Sequence, residues 1–191
     1  KNVYGQVFSA RFFVGQYLPD WVPKRDYSES YSAKKKMGGG VLFDLIHEID
    51  LACYMIGKPH GEILSKVGKL SKLNIETEDM AEILYCTIDK KYVSVHLDYL
   101  SQSYKRYIEI VTEKANITVD LSASEISVFF RSSKIQKKSF PSFSKNIMYL
   151  DLLSDFINSI KNNKESSITL KEGLVSNQIA INVRGKLYNE K

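Results

Sequence analysis

Asp44, His47 and Glu48 are the residues whose types and spacing best suit chemistry. At about 100° per residue, a helix brings positions 44, 47 and 48 onto one face of two successive turns. A carboxylate beside an imidazole is a candidate acid/base pair. Just before them stands Gly38-Gly39-Gly40, a triplet that allows positive φ and close approach of the backbone to a ligand or a neighbouring element. The same residues also have a reading without chemistry. Asp44 suits a helix N-terminus through the macrodipole alone, and a single His on an apolar helix serves as a bonded core residue. A zinc hydrolase is excluded, because the second His that His47-Glu48 would need falls on Leu51.

The elements that must position these residues follow from periodicity. Val41 to Ile56 is almost wholly apolar, which predicts one buried helix, stopped by Gly57-Lys58-Pro59. Residues 3–14 alternate as a strand, with Tyr4, Phe8, Ala10, Phe12 and Val14 on one face. Between them, residues 15–36 show no period and carry Tyr17, Trp21, Tyr27 and Tyr31, rings that either stack on a sugar or nicotinamide or pin the loop down. Further strand patterns occupy 62–71, 79–88, 92–101, 104–112, 116–121 and 125–131, several of them joined by short polar turns that favour antiparallel neighbours. His96 falls on the polar face of its strand and is expected to meet solvent or a second subunit; His60 is expected at the surface.

Two helices close the chain. Residues 146–161 carry Ile147, Leu150, Leu153, Phe156, Ile157 and Ile160 at helical spacing. Residues 170–187 carry Leu174, Ile179, Ile181 and Val183 behind a capping box of Thr169 and Glu172. Both stripes are expected in the core. Strands followed by helices predict an α+β fold, a large mostly antiparallel sheet with helices packed on one face. The other face is left solvated or in need of cover.

The 191 residues, 43% hydrophobic and 26% charged, suit one globular domain. No apolar run is long enough to span a membrane. The net charge of +5 lies in short lysine runs without a nucleic-acid motif, so a solvated surface is expected rather than a nucleic-acid groove. Cys53 and Cys86 have neither CxxC nor metal-ligand spacing and read as buried thiols of a reducing, cytoplasmic compartment. The chain opens on Lys1, as expected of a piece of a longer protein.

Gly38 to Gly40, Asp44, His47 and Asp50 together resemble the signature of the Gfo/Idh/MocA family of nicotinamide-dependent oxidoreductases. Gln16 to Trp21 and Tyr31-Ser32-Ala33 look like the lead-in of its sugar-modifying branch, and Asn146, Tyr149 and Ser167 to Gly173 like its closing elements. One departure stands out: His follows Asp by three residues here, against the commoner four. The resemblance implies a fold like the C-terminal domain of glyceraldehyde-3-phosphate dehydrogenase. It implies that residues 1–191 are a C-terminal substrate-binding and oligomerisation domain, without the N-terminal Rossmann domain that would hold NAD or NADP. No GxGxxG and no EKP motif occurs in the chain. His47 would be the acid/base at a sugar or nucleotide-sugar hydroxyl, with Asp44 orienting or polarising it. Tyr17, Trp21, Tyr31, Gly39, Gly40, Asn146 and Tyr149 would line the substrate site. The isolated chain would bind no cofactor or metal and be inert, and the open sheet face would join a homo-oligomer. The competing expectation is a non-catalytic dimerisation or ligand-binding module, in which His47 is buried and bonded internally.

Overall fold

The computed structural model describes residues 3–131, 134–141 and 144–189. Among the described residues eight strands form one sheet: β1 (Val7–Gly15), β2 (Pro59–Gly68), β3 (Met80–Thr87), β4 (Tyr92–Asp98), β5 (Lys105–Thr112), β6 (Ala115–Asp120), β7 (Glu125–Phe130) and β8 (Gln136–Ser139). Their order is β2-β3-β4-β1-β5-β6-β7-β8. Every pairing is antiparallel except β1 with β4. That parallel pair needs a long crossover, and the chain between β1 and β4 supplies it with the aromatic loop, two helices, β2 and β3.

Register aligns the apolar positions into a continuous row. Ile83 faces Val95, Val95 faces Phe12, and Phe12 faces Ile108 across four strands. All four are at most 2% exposed. On this row lie α1 (Val41–Asp44) and α2 (Ile46–Met55), burying Val41, Leu42, Ile49 and Ala52. Outside α2 runs α4 (Leu170–Asn189), which closes the layer with Ile179, Ala180 and Val183. Such burial is worth roughly 1.5–3 kcal/mol for each large side chain.

Several expectations need correction. The helix predicted over 41–56 is two helices, because Leu45 departs from helical geometry at φ −108°, ψ 21°. At the start of the chain, a register shift between Val7 and Ser9 interrupts the alternation, so β1 begins at Val7, and Phe8 is 48% exposed rather than inward. The loop after β1 is built from four single 3₁₀ turns, at Leu18–Asp20, Tyr27–Glu29, Tyr31–Ala33 and Lys35–Met37. The stripe expected in the core on α3 (Lys145–Lys161) is instead exposed: Ile147, Leu150, Leu153, Phe156, Ile157 and Ile160 are each at least 40% accessible. Helical spacing shows that a face is apolar, not that something covers it. On α4, Leu174 and Ile181 are also exposed. The capping box does form, with Thr169 and Glu172 each accepting the other's backbone N–H.

His96 is neither free in solvent nor unpaired. Its ring stacks on Phe13 at 4.4 Å and lies between Glu82 (2.5 Å) and Asp98 (2.9 Å). Burial opposes its charge, but the hydrogen bonds and charges of Asp98 and Glu82 outweigh it and raise its pKa.

Candidate functional site

The site is assembled around the break at Leu45, with one environment before it and another after. Gly40, at φ 118°, precedes α1. A Cβ there would lie 2.2 Å from the Arg184 guanidinium and 2.3 Å from Glu78, and one on Gly39 would lie 1.9 Å from the Tyr31 carbonyl oxygen. The close approach that these glycines permit is therefore to the protein itself. Arg184, from α4, donates to the Gly39 carbonyl and to both Glu78 oxygens (2.6 and 2.9 Å), and covers the Phe43 ring at 4.5 Å. Glu78, almost fully buried, also accepts the Leu42 N–H at 3.4 Å.

Asp44 ends α1. It accepts the hydroxyl of fully buried Tyr99 at 2.7 Å. Burial raises the Asp44 pKa, while hydrogen bonds from Ser32, Tyr99 and Tyr31 and the charge of Arg184 pull it back. Burial, with Asp44 beside it, pushes the Tyr99 phenol far above its ordinary value, so it stays a donor.

Beyond Leu45 the surroundings change. The His47 side chain is 46% exposed, whereas Glu48 next to it is 0% exposed. Arg106, from β5, donates through Nε to Glu48 Oε1. His47 Nε2 stands 3.5 Å from that same oxygen, and Glu48 Oε2 has no hydrogen-bond partner among the described residues. Burial, then the Arg106 charge, lowers the His47 pKa to about 4, so the ring is neutral at pH 7. Burial raises the Glu48 pKa, and the Arg106 charge and hydrogen bond oppose that rise. A neutral, accessible imidazole keeps a ring nitrogen lone pair free to accept a proton, although so low a pKa makes it a weak base at pH 7.

The residues singled out in the sequence separate into three places. Trp21 and Tyr31 line a cleft of about 670 Å³ built by the 3₁₀ turns, with Arg25 and Tyr27. Trp21 sits edge-on to Tyr99, with ring centroids 5.3 Å apart. Tyr17 packs against the core, and Asp44 is tied to this cleft through its hydrogen bonds from Tyr31 and Ser32. His47 opens into a second cavity of about 530 Å³ with Asp50, Lys58, Arg106 and Glu172. Asn146 and Tyr149 lie on exposed α3, Tyr149 in an apolar groove with Leu152 and Phe156. Asp44 and His47, expected side by side, share no hydrogen bond among the described residues, since the turn at Leu45 separates their faces.

Four functional candidates lie outside the predicted set: Glu78, Tyr99, Arg106 and Arg184. None carries a local signal, because each acts on a residue far off in sequence. Glu48 did carry one, its place beside His47. No helix among the described residues is long and apolar enough to cross a membrane. A nicotinamide dinucleotide does not fit the glycine triplet: Gly39 and Gly40 are buried, and the space beside them is filled by carbonyls, Glu78 and Arg184.

The sequence pattern of the GFO/IDH/MocA C-terminal domain matches residues 1–118. No protein of curated function matches the chain. Among solved structures, a levoglucosan dehydrogenase in complex with NADH superposes with a TM-score of 0.81 at 16% identity, over 98% of this chain and 58% of that one. An oxidoreductase from Agrobacterium radiobacter, in complex with NAD+, L-tartaric acid and magnesium, gives 0.78 at 16% identity, over 98% and 56%. A UDP-N-acetylglucosamine 3-dehydrogenase from Acidithiobacillus ferrooxidans gives 0.73 at 15% identity, over 95% and 54%. The chain thus spans a little over half the length of these structures, and at such identities they share its fold.

Proposed function

This chain belongs to the GFO/IDH/MocA C-terminal domain family, and we propose from that premise that it is the substrate-binding half of an NAD(P)-dependent oxidoreductase acting on a sugar or nucleotide sugar. The nucleotide is held by an N-terminal Rossmann domain of the whole protein, since the glycine triplet here is filled by the protein itself. His47 is the acid/base: its neutral ring takes the proton of the sugar hydroxyl as a carbonyl forms, and returns it in the reverse direction. Asp44 orients, holding Tyr99 and the end of α1 in place. The open face of the sheet, with Leu64, Leu84, Tyr92 and Val111 exposed, is the surface that joins a second copy.

The observation that carries this reading is the neutral, half-exposed ring of His47 at the mouth of a cavity. The test uses the intact protein with NAD+ and NADP+ and a panel including levoglucosan and UDP-N-acetylglucosamine, following absorbance of the reduced nicotinamide. Turnover with one of these sugars, lost in His47→Ala at unchanged melting temperature, is the expected result. Turnover that survives His47→Ala, or none with any sugar, contradicts it.

A further inference from the structure

Glu48 has no part in the chemistry described so far, yet it is the most costly side chain near it. A fully buried carboxylate is expensive unless its oxygens are satisfied, and here Arg106 fills only Oε1. As a pin between α2 and β5 the pair is a poor device, because a buried ion pair adds little stability over apolar side chains of the same volume. The adjacent imidazole also approaches this carboxylate, its Nε2 3.5 Å from the Oε1 that Arg106 holds, while Oε2 accepts from no described residue. His47 and Arg106 line one cavity together, with Asp50 on α2, Lys58 after it and Glu172 on α4 as its other charged groups.

We infer that Glu48, gripped by Arg106, is the positioning residue for His47. Its carboxylate takes the Nε2–H and so leaves Nδ1 without a proton, as the nitrogen that meets the substrate hydroxyl. Three elements then set one ring: α2 carries it, Glu48 fixes its tautomer, and β5 fixes Glu48 through Arg106. In this arrangement the orienting carboxylate is the residue after the His, and Asp44 is free to serve the other side of the Leu45 break. The inference rests on His47 being the acid/base, but its test does not need turnover.

The experiment is a long-range proton–nitrogen correlation spectrum of the intact protein with ring-¹⁵N histidine. His47 is identified by its loss in His47→Ala, among three histidines in this chain. Wild type shows a single neutral tautomer protonated on Nε2, whereas Glu48→Gln shows a mixture of both. Arg106→Gln removes the cation that opposes protonation, so His47 titrates above about pH 4. Should Glu48→Gln not fold, Glu48→Asp keeps the charge, draws it back by one methylene and gives the same mixing. Turnover of Glu48→Gln falls about 10- to 100-fold in kcat with KM little changed, as for loss of an orienting partner. A His47 tautomer identical in wild type and both Glu48 variants overturns the inference. If wild type turns over no sugar, the proposed function fails while the spectra still decide the positioning.

Discussion

Asp44 and His47 stand three residues apart and occupy unlike worlds. On the α1 side, Asp44 is held by Tyr99, the glycine loop is clamped by Arg184, and Arg184 is held by Glu78. On the α2 side, His47 is half exposed, opens into a cavity, and stands 3.5 Å from a buried carboxylate whose other oxygen has no partner among the described residues. The first environment is closed by protein; the second leaves room for something else. One residue, Leu45, makes the difference by turning the chain out of helical geometry between them. The proposed function divides along the same line, with the α1 side holding the frame and the α2 side assigned the exchangeable proton.

The largest disturbance comes from opening the clamp. Arg184→Met leaves Glu78 buried without its cation and lowers stability by about 3–5 kcal/mol. Urea unfolding of the variant measures this, and the His47 titration in the same protein stays as in wild type if the two sides are independent. Tyr99→Phe removes one donor from Asp44 and is expected to lower stability by about 1–3 kcal/mol, read by the same unfolding curves.

The smallest effect lies in pH. With its folded pKa near 4 against an ordinary 6.5, His47 is protonated first in the unfolded chain. Its contribution is therefore full above pH 6.5 and is lost as pH falls toward 4. Solvent screening of the half-exposed ring limits the change to about 1 kcal/mol, and His47→Ala should flatten that part of the stability profile. His96 works in the opposite sense: its raised pKa stabilises the fold at acid pH, and this contribution fades as pH rises beyond 6.5. His96→Gln should remove that fall at the alkaline end.

Much of the frame was legible because it is written in local periods. The alternation in β5 through β7 gave those strands almost to the residue, that in β4 overran its end by three, and Thr169 with Glu172 gave the start of α4. By contrast β8, four residues reading Gln-Lys-Lys-Ser, has no alternation to find; its lysines suit a sheet edge that must not pair further. The site was legible as residues but not as geometry. Arg184 lies 106 positions from Glu78, Arg106 lies 58 from Glu48, and no spacing rule joins them. The turn at Leu45 was equally hidden, since Leu is a good helix former and nothing beside it breaks a helix. Trp21 and Tyr31 line one cleft and His47 faces another, where the sequence suggested a single cleft for all three.

The division between frame and chemistry is tested most directly by steady-state turnover and melting of the intact protein carrying His47→Ala or Asp44→Asn, measured side by side. His47→Ala should lose about 10²- to 10⁴-fold in kcat/KM with its melting temperature unchanged. Asp44→Asn should lose about tenfold or less, with a shifted melting temperature. An Asp44→Asn enzyme that melts like wild type but loses as much turnover as His47→Ala would place Asp44 in the chemistry and contradict the account.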